Sequence, residues 1–248
     1  MYDVSIIGGG LAGLSLSILL SKSGYKILLL EKETYPFTKV CGEYISMESK
    51  SFIQSLGVDI NNLNLPIIKR IKVSSPGGDF IEQSLDLGGF GVSRYFLDNY
   101  LKEIAIKCGV DFRENCKVEN VEFKNNFHVL STTQGNFESK ICCGAFGKKS
   151  NIDVKLKRNF ISESKLNNFV GIKYHLKSDN PDDLISLHNF EGGYCGISNV
   201  ENNKSCLCYL TTADNLKKAG SIAAMERNIL SKNKFLKEVL DSSEMLTG

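Results

Sequence analysis

The segment Gly8-Gly9-Gly10-Leu11-Ala12-Gly13 constrains this chain more than any other. It has the spacing G-x-G-x-x-G and lies between the apolar run Val4–Ile7 and a helix-forming stretch from Leu11 to about Ser23. Gly24 follows as a helix stop, and Tyr25–Leu30 reads as a second buried strand closed by Glu31. Strand, tight turn, helix and strand make a βαβ unit, which requires a parallel sheet and a right-handed crossover. In that context the glycine spacing is a nucleotide-binding signal rather than a chance turn.

Each residue of such a turn has a task. Gly8 permits the bend, Gly10 lets the backbone approach a diphosphate, and Gly13 lets the helix pack closely on the strand. The helix start at Leu11 and Ala12 offers N–H groups without intrahelical partners and the positive end of the helix dipole. Glu31 is placed to accept hydrogen bonds from ribose hydroxyls, with Lys32 beside it. A carboxylate there repels a 2′-phosphate and so disfavours NADP. The fingerprint alone does not separate FAD from NAD. The continuation favours FAD, because a long loop over Thr34–Ile45, a helix and a hairpin replace the further βα units of an NAD dehydrogenase.

The remaining chain mixes helices and strands. Ser46–Leu56 reads as a helix stopped by Gly57, and Ile67–Leu87 as strands around the turn Pro76-Gly77-Gly78-Asp79. Ser93 is placed to cap a helix to about Lys107, with Phe96, Leu97, Tyr100, Leu101 and Ile104 on one buried face. Val110–Cys142 reads as short strands with a turn at Gln134-Gly135-Asn136. Asn168–Thr212 is strand-rich, with turns at Asp179–Asp182 and Glu201–Lys204, and from Ser221 a helical pattern runs to about Leu240. The expected fold is α/β with an α+β mixture. A Rossmann-like FAD-binding domain (residues 1–65 and 92–155) is interleaved with a strand-rich substrate domain (residues 66–91 and 156–248).

The charge balance is near neutral, 30 Lys+Arg against 28 Asp+Glu, and the basic residues form no run. That removes any electrostatic case for a nucleic-acid partner. Leu11–Leu20 is too short and too interrupted for stable membrane insertion. No basic segment precedes an apolar run at the start, so a cytoplasmic location is expected. The eight cysteines include no C-x-x-C pair, and His128, His175 and His188 stand apart. They read as reduced thiols and isolated histidines, with no metal site.

Asp3-Val-Ser-Ile-Ile-Gly-Gly-Gly-Leu-Ala-Gly-Leu14 with Leu30-Glu31-Lys32 resembles FAD-dependent oxidoreductases of the para-hydroxybenzoate hydroxylase fold. Lys39-Val-Cys-Gly-Glu-Tyr-Ile-Ser46 is similar to the geranylgeranyl reductase-like branch, which carries a Cys-Gly pair after the second strand. Gly91-Val-Ser-Arg-Tyr-Phe-Leu-Asp98 resembles that family's helix entry, and Ile141-Cys-Cys-Gly-Ala-Phe-Gly-Lys-Lys-Ser150 its second flavin motif. The resemblance covers about residues 1 to 150 well and the remainder loosely. It implies FAD as cofactor, with NAD(P)H open as electron donor. It also implies that Lys39, Cys41 and Gly42 lie beside the isoalloxazine ring, with Cys41 near its reactive edge. Arg94 would pair with cofactor phosphate, the backbone near Val118 would meet the adenine, and Gly144 and Gly147 would belong to the second motif.

The chain departs from the family pattern in three places. Phe146 stands where Asp is usual, and Asp153 where Arg is usual. The substrate-domain pattern Tyr-x-Trp-x-Phe-Pro is missing, its nearest stretch being Tyr194-Cys-Gly-Ile-Ser198 in a chain with no tryptophan. That argues against a geranylgeranyl substrate and against a flavin halogenase. No Gly-Asp motif occurs between Gly192 and Gly248, so the strand-rich domain is expected to be incomplete: either the chain is truncated, or the missing wall of the flavin site comes from elsewhere, a partner chain in trans being one source. The expected activity is an FAD-dependent reductase acting on an unsaturated apolar small molecule near Tyr194. The alternatives are a flavin monooxygenase and a non-catalytic fragment of this fold.

Overall fold

The computed structural model describes residues 1–148, 150–159 and 168–247. These divide into two compact units. The first contains Met1–Thr38, Ile53–Val58 and Arg94–Lys165, and the second Lys39–Phe52, Asp59–Ser93 and Leu166–Gly248. The divide differs from the expected one. Residues 39–52, 59–65 and 92–93 belong to the strand-rich unit, and 156–159 to the nucleotide unit. The cause is a short strand inside the expected loop, β3 (Tyr44–Ser46), which pairs with β5 (Phe80–Gly91) through Tyr44↔Gly91 and Ser46↔Gly89.

In the first unit, β1 (Tyr2–Ile7) runs parallel to β2 (Ile27–Leu30) on one side and to β9 (Gly135–Gly144) on the other. β2 continues to the parallel edge strand β6 (Asp111–Arg113). All four residues of β2 are buried, as a parallel strand covered on both faces requires. Helix α1 (Leu11–Lys22) buries Gly13, Leu14, Ser17 and Ile18 and packs beside α3 (Arg94–Lys107). On α3 the buried residues are Leu97, Asp98, Leu101 and Ala105, while Phe96, Tyr100 and Ile104 are only half-buried. A second core layer joins Ile7, Leu28 and Leu30 to Cys116, Val118, Leu130 and Ile152. Antiparallel strands β7 (Val118–Lys124) and β8 (Phe127–Thr132) complete the sheet beside β9. Asn125 and Asn126, both at positive φ, make the turn between them. Ser150 caps the short α4 (Asn151–Lys155) by accepting from the Ile152 amide.

The second unit is an eight-stranded sheet. Its order is β14 (Glu244–Thr247), β10 (Phe169–Lys177), β13 (Lys204–Thr212), β12 (Gly193–Val200), β11 (Leu184–Phe190), β4 (Ile67–Ser74), β5 and β3. Among the described residues, only β4 and β11 pair in parallel in this sheet. Side chains alternate across this sheet. One face contributes Leu176, Cys195, Ile197, Leu207 and Tyr209 to a core completed by Met225, Leu230 and Leu236. The opposite face carries Lys173, His175, Ser198, Cys206 and Cys208, with Lys173 directly across from Cys208 and His175 across from Cys206.

The expected helix from Ser221 is two helices, α6 (Ile222–Asn228) and α7 (Lys234–Ser242), preceded by α5 (Ala213–Ala219). Ser221 and Asn233 restart the helices by accepting first-turn amides. Among the described residues no helix is long and apolar enough to cross a membrane.

Candidate dinucleotide-binding site

The glycine turn of the first unit is sealed by a segment 137 positions later. β1 ends beside the end of β9, where Ile7 pairs with Gly144 and the Ala145 amide donates to the Ile7 carbonyl at 2.8 Å. Gly8 sits at φ +105°, and a Cβ there would lie 2.6 Å from the Ala145 oxygen and 2.9 Å from Cα of Phe146. Only glycine tolerates both that conformation and that contact. A Cβ on Gly13 would fall on the Gly8 carbonyl oxygen, so α1 leaves the turn at backbone contact distance. Gly10 is the N-cap residue, in an extended conformation (φ −73°, ψ −177°). The first turn of α1 has neither a side-chain cap nor an acidic residue, and Ala12 is exposed. Its N–H groups are therefore available to an anion.

Glu31 lies at the end of β2 with 6% of its surface exposed. Its Oε2 accepts from the Gly9 amide at 2.7 Å and its Oε1 from the Glu33 amide at 3.0 Å. A carboxylate has about four lone-pair sites, so two stay open for hydroxyl donors. Tyr35 closes this corner: its hydroxyl donates to the Gly9 carbonyl, and its ring meets Phe37 and Phe112 edge-on. Burial first, then the charges of Asp98 and Glu31, hold the phenol well above its ordinary pKa, so it remains a donor. The sequence carries no signal for Tyr35, which lies in the stretch expected as a plain loop.

Arg94 opens α3 and forks onto Asp98 of the same helix, Nε to Oδ1 at 2.7 Å and Nη2 to Oδ2 at 2.8 Å. This pair explains why Asp98 is buried. Arg94 thus has a carboxylate partner within its own helix, alongside the phosphate role expected for it. Val118 is buried at the start of β7, close behind Cys116, whose amide donates to the Glu31 carbonyl at 2.8 Å. Exposed Lys32 ion-pairs with Glu33 at 3.4 Å and lines a groove of about 560 Å³ with Asn115, Lys117, Thr133 and Gln134. Phe146 folds its ring against Gly144, and Gly147 stands at φ +82° in open space. Buried Asp153 lies 3.3 Å from Arg158, so the exchange of Arg for Asp there has an internal cation to answer it.

Lys39, Cys41 and Gly42 fall in the second unit. Lys39 and Cys41 are half-buried and Gly42 is exposed, with nothing within 4 Å of a Cβ built on it. The Cys41 carbonyl accepts from Cys206 Sγ at 3.4 Å, and the Gly42 carbonyl from Ser198 Oγ at 3.5 Å. The next residue, Glu43, is fully buried and held at φ +56°, a backbone state that costs a residue with a Cβ roughly 1–3 kcal/mol. Its carboxylate compensates. Oε1 accepts from Lys173 Nζ at 2.6 Å, and Oε2 lies 2.6 Å from His175 Nε2.

His175 therefore does not stand alone, contrary to expectation, and neither does His188, whose Nδ1 is 2.8 Å from Ser74 Oγ. Ligand-type atoms of Glu43, His175 and Cys206 lie within 4.8 Å of one another, a metal-like grouping that the sequence spacing did not suggest. The Lys173 ammonium already supplies this group with a cation. Burial first, then the Glu43 carboxylate, push the Cys206 thiol up. Cys208 is pushed up to about 11, again chiefly by burial. Tyr194, expected near substrate, is exposed on β12.

A parallel βαβ sheet, a glycine turn sealed by a second Gly-Ala segment, and a carboxylate closing the second strand define a dinucleotide-binding protein. More narrowly, the chain belongs to the FAD binding domain family, whose model matches residues 1–189. FAD is the cofactor that family takes, and the uncapped first turn of α1 and the open acceptor positions of Glu31 suit its diphosphate and ribose. The chain is 31% identical over 143 residues to conditioned medium factor receptor 1 of Dictyostelium discoideum, covering 52% of this chain and 28% of that protein. It is 23% identical over 188 residues to menaquinone reductase of Mycobacterium tuberculosis, covering 73% of this chain and 46% of that one. Its fold matches that of halogenase PltM in complex with phloroglucinol and FAD, with TM-score 0.80, 18% identity, and coverage of 100% of this chain and 59% of the other. The chain spans between 25% and 46% of the length of the curated relatives it matches.

Proposed function

We propose that this chain is the FAD-holding part of an oxidoreductase that reduces an unsaturated apolar small molecule. The observation that carries the proposal is the seal between the two glycine motifs, which fixes an amide-rich helix start next to a buried carboxylate. In this reading Gly8, Gly10, Leu11, Ala12 and Gly13 take the diphosphate, with Arg94, Gly144 and Gly147 in support. Glu31 and Lys32 take the ribose end and the backbone at Val118 the adenine. Lys39, Cys41 and Gly42 belong to the ring end of the cofactor. FAD, when bound, supplies the two-electron chemistry. The chain binds and orients it, with NAD(P)H open as electron donor.

The reductase branch is supported by the Cys41-Gly42 pair and by the likeness over 73% of the chain to a protein named menaquinone reductase. A second reading, a monooxygenase-type enzyme, is favoured by the structural likeness to a flavin-using halogenase.

Titration of FAD into the purified chain, followed by flavin absorbance and fluorescence, tests the binding claim. Saturable uptake is expected, with loss of at least roughly tenfold in affinity in Gly10→Val. Uptake unchanged in that variant would remove the foundation of the proposal. Turnover with reductant in the absence of oxygen separates the two readings: the reductase continues and the monooxygenase stops.

A further inference from the structure

We propose that Glu43 is a positioning residue: a buried charged clamp that pins the Cys41-Gly42 turn to the polar face of the eight-stranded sheet. The clamp stands on contacts within the second unit alone, and its chemical meaning rests on the reading that this turn serves the ring end of FAD.

Three consecutive residues of the turn are held from three neighbouring strands. Cys206 on β13 reaches the Cys41 carbonyl, Ser198 on β12 reaches the Gly42 carbonyl, and Lys173 and His175 on β10 take the two oxygens of Glu43. The side chains of Glu43, Lys173 and His175 are 0%, 6% and 8% exposed. The register places them without freedom, since His175 sits across from Cys206 and Ser198 flanks Cys206 on the other side. A carboxylate with that burial has no water to fall back on, so it stays where its two partners are. Glu43 accepts a left-handed backbone to reach them. The geometry that results fixes the direction of the preceding residues, Cys41 and Gly42. Removing Glu43's charge leaves Lys173 buried and uncompensated, and the turn is the part free to lift.

The experiment is site-resolved alkylation with N-ethylmaleimide, read by mass spectrometry, on the wild-type chain and on Glu43→Gln, Lys173→Met and the double variant. Cys206 lies beneath the turn, whereas Cys195 lies in the apolar core on the opposite face and reports global unfolding. The expected result is roughly tenfold faster modification of Cys206 in either single variant, with Cys195 unchanged. The double variant is expected to be no faster than the singles, because both changes break one contact. Cys206 as slow in Glu43→Gln as in wild type would overturn the clamp, as would Cys195 opening equally. One equivalent of zinc in the purified chain, whose removal by chelator exposes Cys206, would overturn it in favour of a metal site. A parallel absorbance spectrum of the FAD-loaded variants separates the clamp from its chemical reading. A shifted flavin band supports both, and an unchanged band with a reactive Cys206 keeps the clamp while removing the turn from the ring.

Discussion

The Gly8 carbonyl oxygen occupies the place where a side chain on Gly13 would have to begin. The two residues are five positions apart and belong to the same turn and helix, so the contact cannot be relieved by moving one element as a whole. Gly13→Ala is expected to destabilise the first unit by about 2–3 kcal/mol and to abolish FAD uptake. Urea unfolding followed by circular dichroism, beside flavin titration, checks both. An alanine variant as stable as wild type would show that the helix leaves the turn differently.

Gly42 gives the opposite expectation. A Cβ there meets nothing within 4 Å, so Gly42→Ala should leave stability within about 0.5 kcal/mol of wild type. FAD affinity should nonetheless fall roughly tenfold if the space beside Gly42 serves the cofactor. Titration calorimetry on both proteins decides it, and unchanged affinity would remove Gly42 from the binding surface.

His188 sets a pH dependence. Burial first, then Lys72, lower its pKa from 6.5 to about 4 in the folded chain. The unfolded chain therefore binds a proton between pH 6.5 and 4 that the folded chain refuses. The contribution is fully present above pH 6.5 and is lost as pH falls toward 4, amounting to roughly 2–3 kcal/mol after allowance for screening. The ring stacks on Phe235 at 5.0 Å between centroids. His188→Asn should be less stable at pH 7 and should show a flatter decline from pH 6.5 to 4 in urea titrations. An equally steep decline would place the dependence elsewhere.

Asn233 joins helix α7 to the sheet. Its side chain accepts from the Phe235 amide at 3.0 Å, and its two N–H groups are shared among Ser74 Oγ, the Ser75 carbonyl and the Asn189 carbonyl at 2.8 to 3.0 Å. It is fully buried. Asn233→Ala should cost about 2–3 kcal/mol through the lost cap and the unpaired acceptors. Asn233→Asp, a good cap in an isolated helix, should cost at least as much, because it faces the Ser75 and Asn189 carbonyls without a donor. Thermal unfolding of the two variants tests this, and a stable aspartate variant would show that capping alone accounts for the residue.

The parts of this molecule legible in its sequence are those encoded within a few residues. Gly8 to Gly13, the stop at Gly24 and the acid at Glu31 lie in one βαβ unit, and each has a local physical reason. The helix from Arg94 and the hairpin at Pro76–Asp79 were legible on the same grounds. What was not legible depends on register between distant strands. Nothing near Glu43 announces Lys173 or His175, which are 130 and 132 positions away. Nothing near His175 announces Cys206, because the pairing of β10 with β13 is set by the packing of the opposite, apolar face. The break between α6 and α7 was missed for a related reason. Asn233 reads as a polar residue in a helical pattern until its three sheet partners are in place.

The pairing of Ile7 with Gly144 also bears on how the chain is made. During synthesis the central strand of the first sheet emerges long before its neighbour on that side. At cellular elongation rates the delay is on the order of ten seconds. Meanwhile β1 presents an unpaired, apolar edge on that side, and much of what leaves the ribosome before β9 belongs to the other unit. Such an edge invites pairing with another nascent chain. The protein should therefore lean on holding chaperones during translation, and its yield should respond to their supply more than to the final stability of the folded state.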